Sequence, residues 1–277
     1  MQRLATCLAL VWAFPAVSGS ALWLESHSQS DVDAENGRHI VGRAVDRAEW
    51  IREQKREAAY RYGLTRQIRR LDGNGTLNSE ETRAFDVVLL QGMPYRRLIS
   101  RNGRPLTAAE QAAEEKRERA FLEQLKRGQA PTPEVPEDEI RFNEQLVSRF
   151  VFTQEATEPL AGRPAYRLSF EPRPGRLPIR RQIDRALNRS RGEIWIDAET
   201  YEVARVRFEL IDPVRVWWGI AGSINDVRGE FSRAPLSKDV WMPQHLETYL
   251  DLRVLFRTAH REETTKWAGY ARIETER

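Results

Sequence analysis

The spacing of apolar residues divides the chain into stretches of different period. From Asp31 to Tyr60, Val41, Val45, Ile51 and Ala58 form a loose apolar stripe among many charges, which predicts a helix. From Tyr60 onward the period changes: Tyr60, Tyr62, Leu64 and Ile68 are spaced as in a strand. Asp72-Gly73-Asn74-Gly75 is a tight-turn signal between two extended runs. Phe85 to Leu90 reads as a strand, Gln91 to Pro94 as a turn, Tyr95 to Ser100 as a short strand, and Arg101-Asn102-Gly103 as another turn. Thr107, with Glu110 three residues on, has the form of a capping box. The Ala-, Glu-, Arg- and Leu-rich run to Lys126 should be helical, with Gly128 stopping it. Ala130 to Glu139, with three prolines and several acids, reads as a loop.

The second half is nearly all strand. Phe150 to Gln154 and Ala165 to Phe170 flank the turn Gly162-Arg163-Pro164, and Pro172 to Gly175 breaks the sheet. Leu177 to Leu187 reads as a short basic helix. Extended runs follow at Glu193–Asp197, Val203–Leu210, Val227–Phe231, Val240–Met242, His245–Leu250, Arg253–Phe256 and Lys266–Ile273. Turns about every ten residues predict a large antiparallel sheet or barrel. There is no tandem repeat of the kind that builds a solenoid.

The N-terminus changes the picture. Met1-Gln2-Arg3 carries positive charge, Leu4 to Val17 is almost wholly apolar, and Ser18, Gly19, Ser20 and Ala21 are small. This is the layout of a secretory signal, and the apolar run is too short for a stable bilayer anchor. The single cysteine, Cys7, lies inside that run, so the processed chain is expected to carry no thiol chemistry and no disulfide. Charged residues make up 31% of the 277, with 44 basic against 41 acidic, so neither general disorder nor nucleic-acid binding is indicated by charge alone.

Few motifs carry chemistry. A calcium loop starting at Asp72 would need Gly at its sixth position and an acid at its twelfth, where Leu77 and Arg83 stand. His27, His39, His245 and His260 have no metal-ligand spacing, and no nucleophile elbow, P-loop or dinucleotide fingerprint occurs. No cofactor is expected, and the chain reads as a binding protein rather than an enzyme. Asn74-Gly75-Thr76 and Asn188-Arg189-Ser190 match the glycosylation sequon.

Eight tryptophans are many for this length. On a strand the adjacent Trp217 and Trp218 point to opposite faces. Val216, Trp218 and Ile220 then share one face and Trp217 goes with Arg215 and Gly219. With Trp241 from a later strand, Val216, Trp218 and Ile220 are the candidate lining of an apolar cleft; the alternative is an ordinary β core with a surface tryptophan. Arg180, Arg181, Arg185, Arg189 and Arg191 surround Leu177, Ile183 and Leu187. Such a basic amphipathic segment fits either an anionic membrane surface or a solvated helix crossing the sheet edge. We place it, and Arg180, Arg181 and Arg185 in particular, at the mouth of the cleft.

Glu155 to Pro172 (EATEPLAGRPAYRLSFEP), the run Gly192-Glu193-Ile194-Trp195-Ile196-Asp197, Arg205 and Arg207 in the next strand, and Trp241-Met242-Pro243 together resemble the outer-membrane lipoprotein-sorting superfamily. That superfamily includes LolA, LolB and RseB, and the resemblance spans roughly Tyr60 to Ile273. It implies an α+β fold: a single curved antiparallel sheet, an incomplete half-barrel, with helices covering one side. The expected organisation is a signal peptide over 1–21, a helical segment over 22–59, and a half-barrel over 60–277. The half-barrel carries a helical insertion at 106–127 and a proline- and acid-rich loop at 128–139. The implied function is a periplasmic binding or carrier protein for a lipid or acylated, lipoprotein-like ligand. The alternative is an envelope sensor or scaffold that binds a protein partner through its sheet. Peripheral membrane contact is compatible with either reading, and no transmembrane anchor is expected in the processed chain. The chain departs from LolA in its length, its N-terminal helical segment and the charged helix from Thr107 to Lys126.

Overall fold

The computed structural model describes residues 21–54, 59–129, 140–216, 222–237, 240–254 and 257–273; the side chains of 21–31, 216 and 254 lie outside that description. Helix α1 (Ala21–Glu53) is followed by strands β1 (Tyr60–Asp72), β2 (Leu77–Leu90), β3 (Met93–Arg101) and β4 (Arg104–Pro105). Then come α2 (Ala108–Lys126), α3 (Glu144–Val147), β5 (Phe150–Leu160), β6 (Arg163–Pro172), α4 (Ile183–Leu187), β7 (Ser190–Asp197) and β8 (Val203–Leu210). Strands β9 (Val214–Val216), β10 (Gly222–Ser237), β11 (Val240–Val254) and β12 (Arg257–Arg272) complete the order. The strands form one antiparallel sheet, not closed into a barrel, in the order β4-β3-β2-β1-β12-β11-β10-β8-β7-β6-β5, with β9 paired to β10.

Local chemistry sets the hairpins. At the first, Asp72 Oδ1 accepts the backbone N–H groups of Asn74 and Thr76, both at 2.9 Å. Those two bonds hold the Asp72 carboxyl below its ordinary pKa. The turn is therefore closed by its own side chain. Gln91-Gly92, Asn102-Gly103 and Ala161-Gly162 all have positive φ, the two-residue geometry whose twist matches the flanking strands. Met93 and Pro94, expected in a turn, consequently belong to β3.

Three expected strands near the C-terminus fuse. Val240–Met242, His245–Leu250 and the start of the Arg253–Phe256 run are one strand, β11. Pro243 has no N–H to give to the ladder. The register shifts there, with Ser232 opposite His245 and Arg233 opposite Pro243, so that Gln244 bulges out and the strand continues. The expected helix from Leu177 to Leu187 shortens to Ile183–Leu187. The N–H groups of Arg180 and Arg181 bond instead to Asp184 Oδ2, at 2.8 and 3.0 Å.

Helix α1 lies on one face of the sheet. Ile40, Val41, Ala44 and Val45 pack on Phe150, Phe152, Leu168, Phe170, Ile194 and Ile196. Gly37 permits this approach, since a Cβ there would stand 2.4 Å from the Phe152 carbonyl oxygen. A polar tether reinforces it: Glu202, 2% exposed, accepts Arg47 Nε from α1 and Arg233 Nη1 from β10, each at 2.9 Å.

Helix α2 begins with the expected capping box at Thr107 and Glu110 and buries no residue. It leans on β3, next to the edge strand β4, through the Tyr95 and Phe121 rings, 4.9 Å apart, and a bidentate Arg97–Glu118 pair at 3.0 Å. Tyr95 donates to Glu114, and burial followed by that bond pushes the phenol well above its ordinary pKa. Successive strand registers place Tyr95 and Arg97 on the face opposite α1.

Candidate ligand-binding surfaces

The two faces of the sheet differ in character, and cross-strand pairing shows how. On the α1 face, Leu168, Ile194, Val206, Phe231 and Leu246 stand opposite one another on β6, β7, β8, β10 and β11. Leu168 and Ile194, near α1, are 0% and 2% exposed. Val206, Phe231 and Leu246 are only half-buried. Val227 and Leu250 pair in the same sense four residues along, also half-buried, and Trp267 of β12 meets Phe231 edge to face at 6.2 Å. An apolar surface thus continues outward from beneath α1.

That surface ends at an ion cluster. Beyond Leu246 the row continues to Thr265 and Arg66, and beside them Glu263 is held by Arg66 Nε and Arg261 Nη2, both at 2.6 Å. Burial raises the Glu263 pKa, but the Arg66 hydrogen bond and charge outweigh it, and the group stays ionised below the ordinary range.

A second row on the α1 face carries two glycines. Phe170, Gly192, Phe208 and Gly229 face one another on β6, β7, β8 and β10. A Cβ at Gly192 would lie 1.9 Å from the Arg207 carbonyl oxygen and 2.8 Å from the Phe170 ring. At Gly229 it would lie 2.6 Å from the Glu247 oxygen and 2.7 Å from the Phe208 ring. Each ring covers the neighbouring glycine, and the row forms a crease.

On the opposite face the crease floors an open groove of about 850 Å³. Its walls are charged: Arg191, Arg207 and Arg228 stand among Glu171, Glu193, Glu209, Glu230, Glu247 and Glu262. Most of this charge is internally compensated. Arg191 pairs with Glu209 at 2.8 Å, Arg207 with Glu230 at 3.0 Å and Glu193 at 3.4 Å, and Arg69 with Glu262 at 2.5 Å. Arg167 and Arg205, from the same face, add bonds to Glu193 and Glu230. Exposed pairs of this kind contribute roughly 0–1 kcal/mol each, so the lattice is a solvated surface that leaves little unmatched charge for a ligand.

The expected cleft residues are distributed as follows. Trp218 and Ile220 lie outside the described residues. The Val216 backbone pairs with Gly222 at one end of β10. Trp241 pairs with Pro235 near the other end, about 43 Å away at ~3.3 Å per residue. Trp241 is 4% exposed, with the Arg163 guanidinium 5.9 Å from its ring centre, and its indole N–H has no partner among the described residues. Arg180 and Arg185 are exposed and Arg181 is half-buried. Their segment touches the chain leading into β9, through Arg189 Nη1 to the Pro213 oxygen at 2.6 Å and the Ile211 N–H to the Arg189 oxygen at 2.7 Å. The half-buried Phe231, Leu246, Leu250 and Trp267 were not singled out in the sequence, although alternation in Val227–Phe231 and His245–Leu250 carries the signal.

Among the described residues no cluster of metal-ligating side chains occurs, and no helix is long and apolar enough to cross a membrane. No protein family matches the chain, and no curated protein does. Solved structures give weak likenesses. A LolA superfamily protein from Nitrosomonas europaea matches over 87% of this chain and 94% of its own, at 10% identity and a TM-score of 0.33. An outer membrane lipoprotein-sorting protein domain from Vibrio parahaemolyticus matches over 88% and 95%, at 9% identity and 0.32. MucB in the MucA/MucB complex of Pseudomonas aeruginosa matches over 83% of this chain and 100% of that chain, at 12% identity and 0.21. At these identities and scores none of the likenesses bears on what the chain binds.

Proposed function

We propose that the chain is a binding or carrier protein of the cell envelope that holds a lipid or acyl chain against the α1 face of its sheet. One observation carries the reading: the apolar surface does not stop where α1 stops. Val206, Phe231, Leu246 and Trp267 extend it in a half-buried state, whereas the opposite groove is lined by paired charges. Apolar side chains left half-wet on a continuous face gain when an apolar ligand displaces water from them. Burying one aromatic completely is worth about 1.5–3 kcal/mol, so a chain of methylenes across Phe231 and Leu246 makes a usable site. Val216, at the end of β9, with Trp218 and Ile220 after it in the sequence, is proposed as its extension.

The test is a fatty-acid titration followed by tryptophan emission, with native mass spectrometry of the purified protein. Phe231→Ser together with Leu246→Ser should weaken binding tenfold or more, and Trp218→Ala should do the same if the site reaches β9. Folded variants that bind as tightly as the parent would refute this placement. A chain that always emerges without lipid, and instead retains one envelope protein stoichiometrically, would select the sensor or scaffold alternative.

A further inference from the structure

From Arg173 to Arg191 the sequence has seven arginines and one acid, Asp184. The structure turns that acid inward. Asp184 is 0% exposed and lies 3.2 Å from Arg149 Nη2, itself only 2% exposed, while accepting the N–H groups of Arg180 and Arg181. Arg149 also donates to the Pro178 oxygen at 2.9 Å and to Asn188 Oδ1 at 2.6 Å. The Pro178 oxygen and the Arg180 and Arg181 N–H groups are therefore bonded inside, while the side chains of Arg176, Ile179, Arg180 and Arg185 are exposed. Ile179 is 53% exposed, and Ile211, on the turn that bonds to Arg189, is 42% exposed.

Arg181 and Arg191 of this stretch pair with Asp184 and Glu209, but three of its other arginines differ from the paired ones of the sheet. Across the sheet, arginines such as Arg97, Arg163, Arg167 and Arg207 are matched by carboxylates. Arg176, Arg180 and Arg185 are exposed and have no carboxylate partner among the described residues. Exposed acids at the margin are Glu171, Asp212 and Glu209, the last paired with Arg191 at 2.8 Å. Unmatched guanidinium groups around two exposed isoleucines, on a loop braced by a buried ion pair, have the chemistry of a surface that meets phosphates and then apolar chains.

We propose that this loop, with Arg176, Arg180, Arg185 and the flanking Ile179 and Ile211, docks the protein on an anionic bilayer surface. The proposal does not depend on the acyl-binding reading, because docking and ligand uptake are measured separately. It is tested by sedimentation of the protein with vesicles of phosphatidylcholine alone and of phosphatidylcholine mixed with phosphatidylglycerol. Binding should require the anionic lipid and weaken as salt rises. Each arginine removed should lower partitioning about fivefold, so Arg180→Glu with Arg185→Glu should lower it about 25-fold or more. Neither side chain makes a bond among the described residues, and the melting temperature should hold. Ile179→Ser should lower partitioning a further severalfold. Lys116→Glu with Arg119→Glu on exposed α2 changes net charge equally and should leave vesicle binding as in the parent. The proposal is overturned if the Arg180/Arg185 variant sediments like the parent, or if the α2 variant loses as much. It is also overturned if an acidic soluble polypeptide binds the parent while anionic vesicles do not, which would assign the patch to a protein partner.

Discussion

Glu202 offers the sharpest test of how α1 is held. It is 2% exposed and bridges Arg47 of α1 and Arg233 of β10, each at 2.9 Å. Glu202→Gln leaves two guanidinium groups facing a neutral amide. Removing one partner of a buried pair costs about 3–5 kcal/mol, because the remaining charge stays desolvated. Here Arg47 and Arg233 keep 18% and 15% side-chain exposure, so water recovers part of the loss, and about 2–3 kcal/mol is expected. For a chain of this size that corresponds to a melting-temperature drop of about 4–12 °C. The loss should also be local. Hydrogen exchange of the Ile40–Val45 amides should speed up before that of β7, since β7 is held on both sides by its ladders to β6 and β8 and α1 has no ladder. The triple change Arg47→Met, Glu202→Leu, Arg233→Met removes every charge together and should recover most of the stability. If Glu202→Gln melts within about 1 °C of the parent, or if the triple variant is worse than the single one, the tether does not hold α1.

The crease and the buried acids give further expectations. Gly229→Ala puts a methyl 2.6 Å from a backbone oxygen and 2.7 Å from the Phe208 ring, and overpacking of this kind costs about 1–3 kcal/mol. Trimming the ring as well, with Phe208→Leu, should recover only the ring's share in a urea melt, because the backbone contact at Glu247 remains. Asp184 and Asp197 both titrate below the ordinary aspartate range. In each, burial raises the pKa but is outweighed: at Asp184 by the Arg180 and Arg181 N–H groups and Arg149, and at Asp197 by Arg163 and Thr200. A depressed native pKa adds stability that is present above about pH 4 and is lost as pH falls through the native value. Urea melts should be flat above about pH 5 and weaken below about pH 4, and Asp197→Asn should flatten that acid limb. An unchanged acid limb in the variant would place the sensitivity elsewhere.

Where the determinants are local, the sequence is readable. The Asp72 hairpin, the Thr107 capping box and the stop near Gly128 each depend on residues within a few positions, and each forms where expected. The departures have long-range causes. Pro243 looks like a strand breaker until Arg233, on another strand, shows that the sheet absorbs it as a bulge. The Leu177–Leu187 segment has helical spacing, but Asp184 takes its backbone N–H groups and Arg149, from before β5, fixes them. Gly192 belongs to a motif visible in the sequence, yet its purpose appears only with Phe170 across the ladder. For the candidate site, the use of apolar strand faces was legible. Which half-buried patch lies beyond α1 was not, because no local pattern states where a helix stops covering a sheet.

The order of the strands has a consequence for how the molecule is made. Strand β1 finds its neighbour β12 about two hundred residues later, with Tyr60 opposite Arg272. The meander β4-β3-β2-β1 and the larger meander from β5 to β11 therefore meet only through β12. During synthesis each meander can pair within itself, but β1 waits with an open edge until β12 has been made. Closing so long a loop is slow, and an exposed edge in the meantime invites pairing with other chains. Assembly should thus be a late, nearly all-or-none zippering of two preformed halves, and a chain cut before Arg257 would leave two sheets with no strand ladder between them.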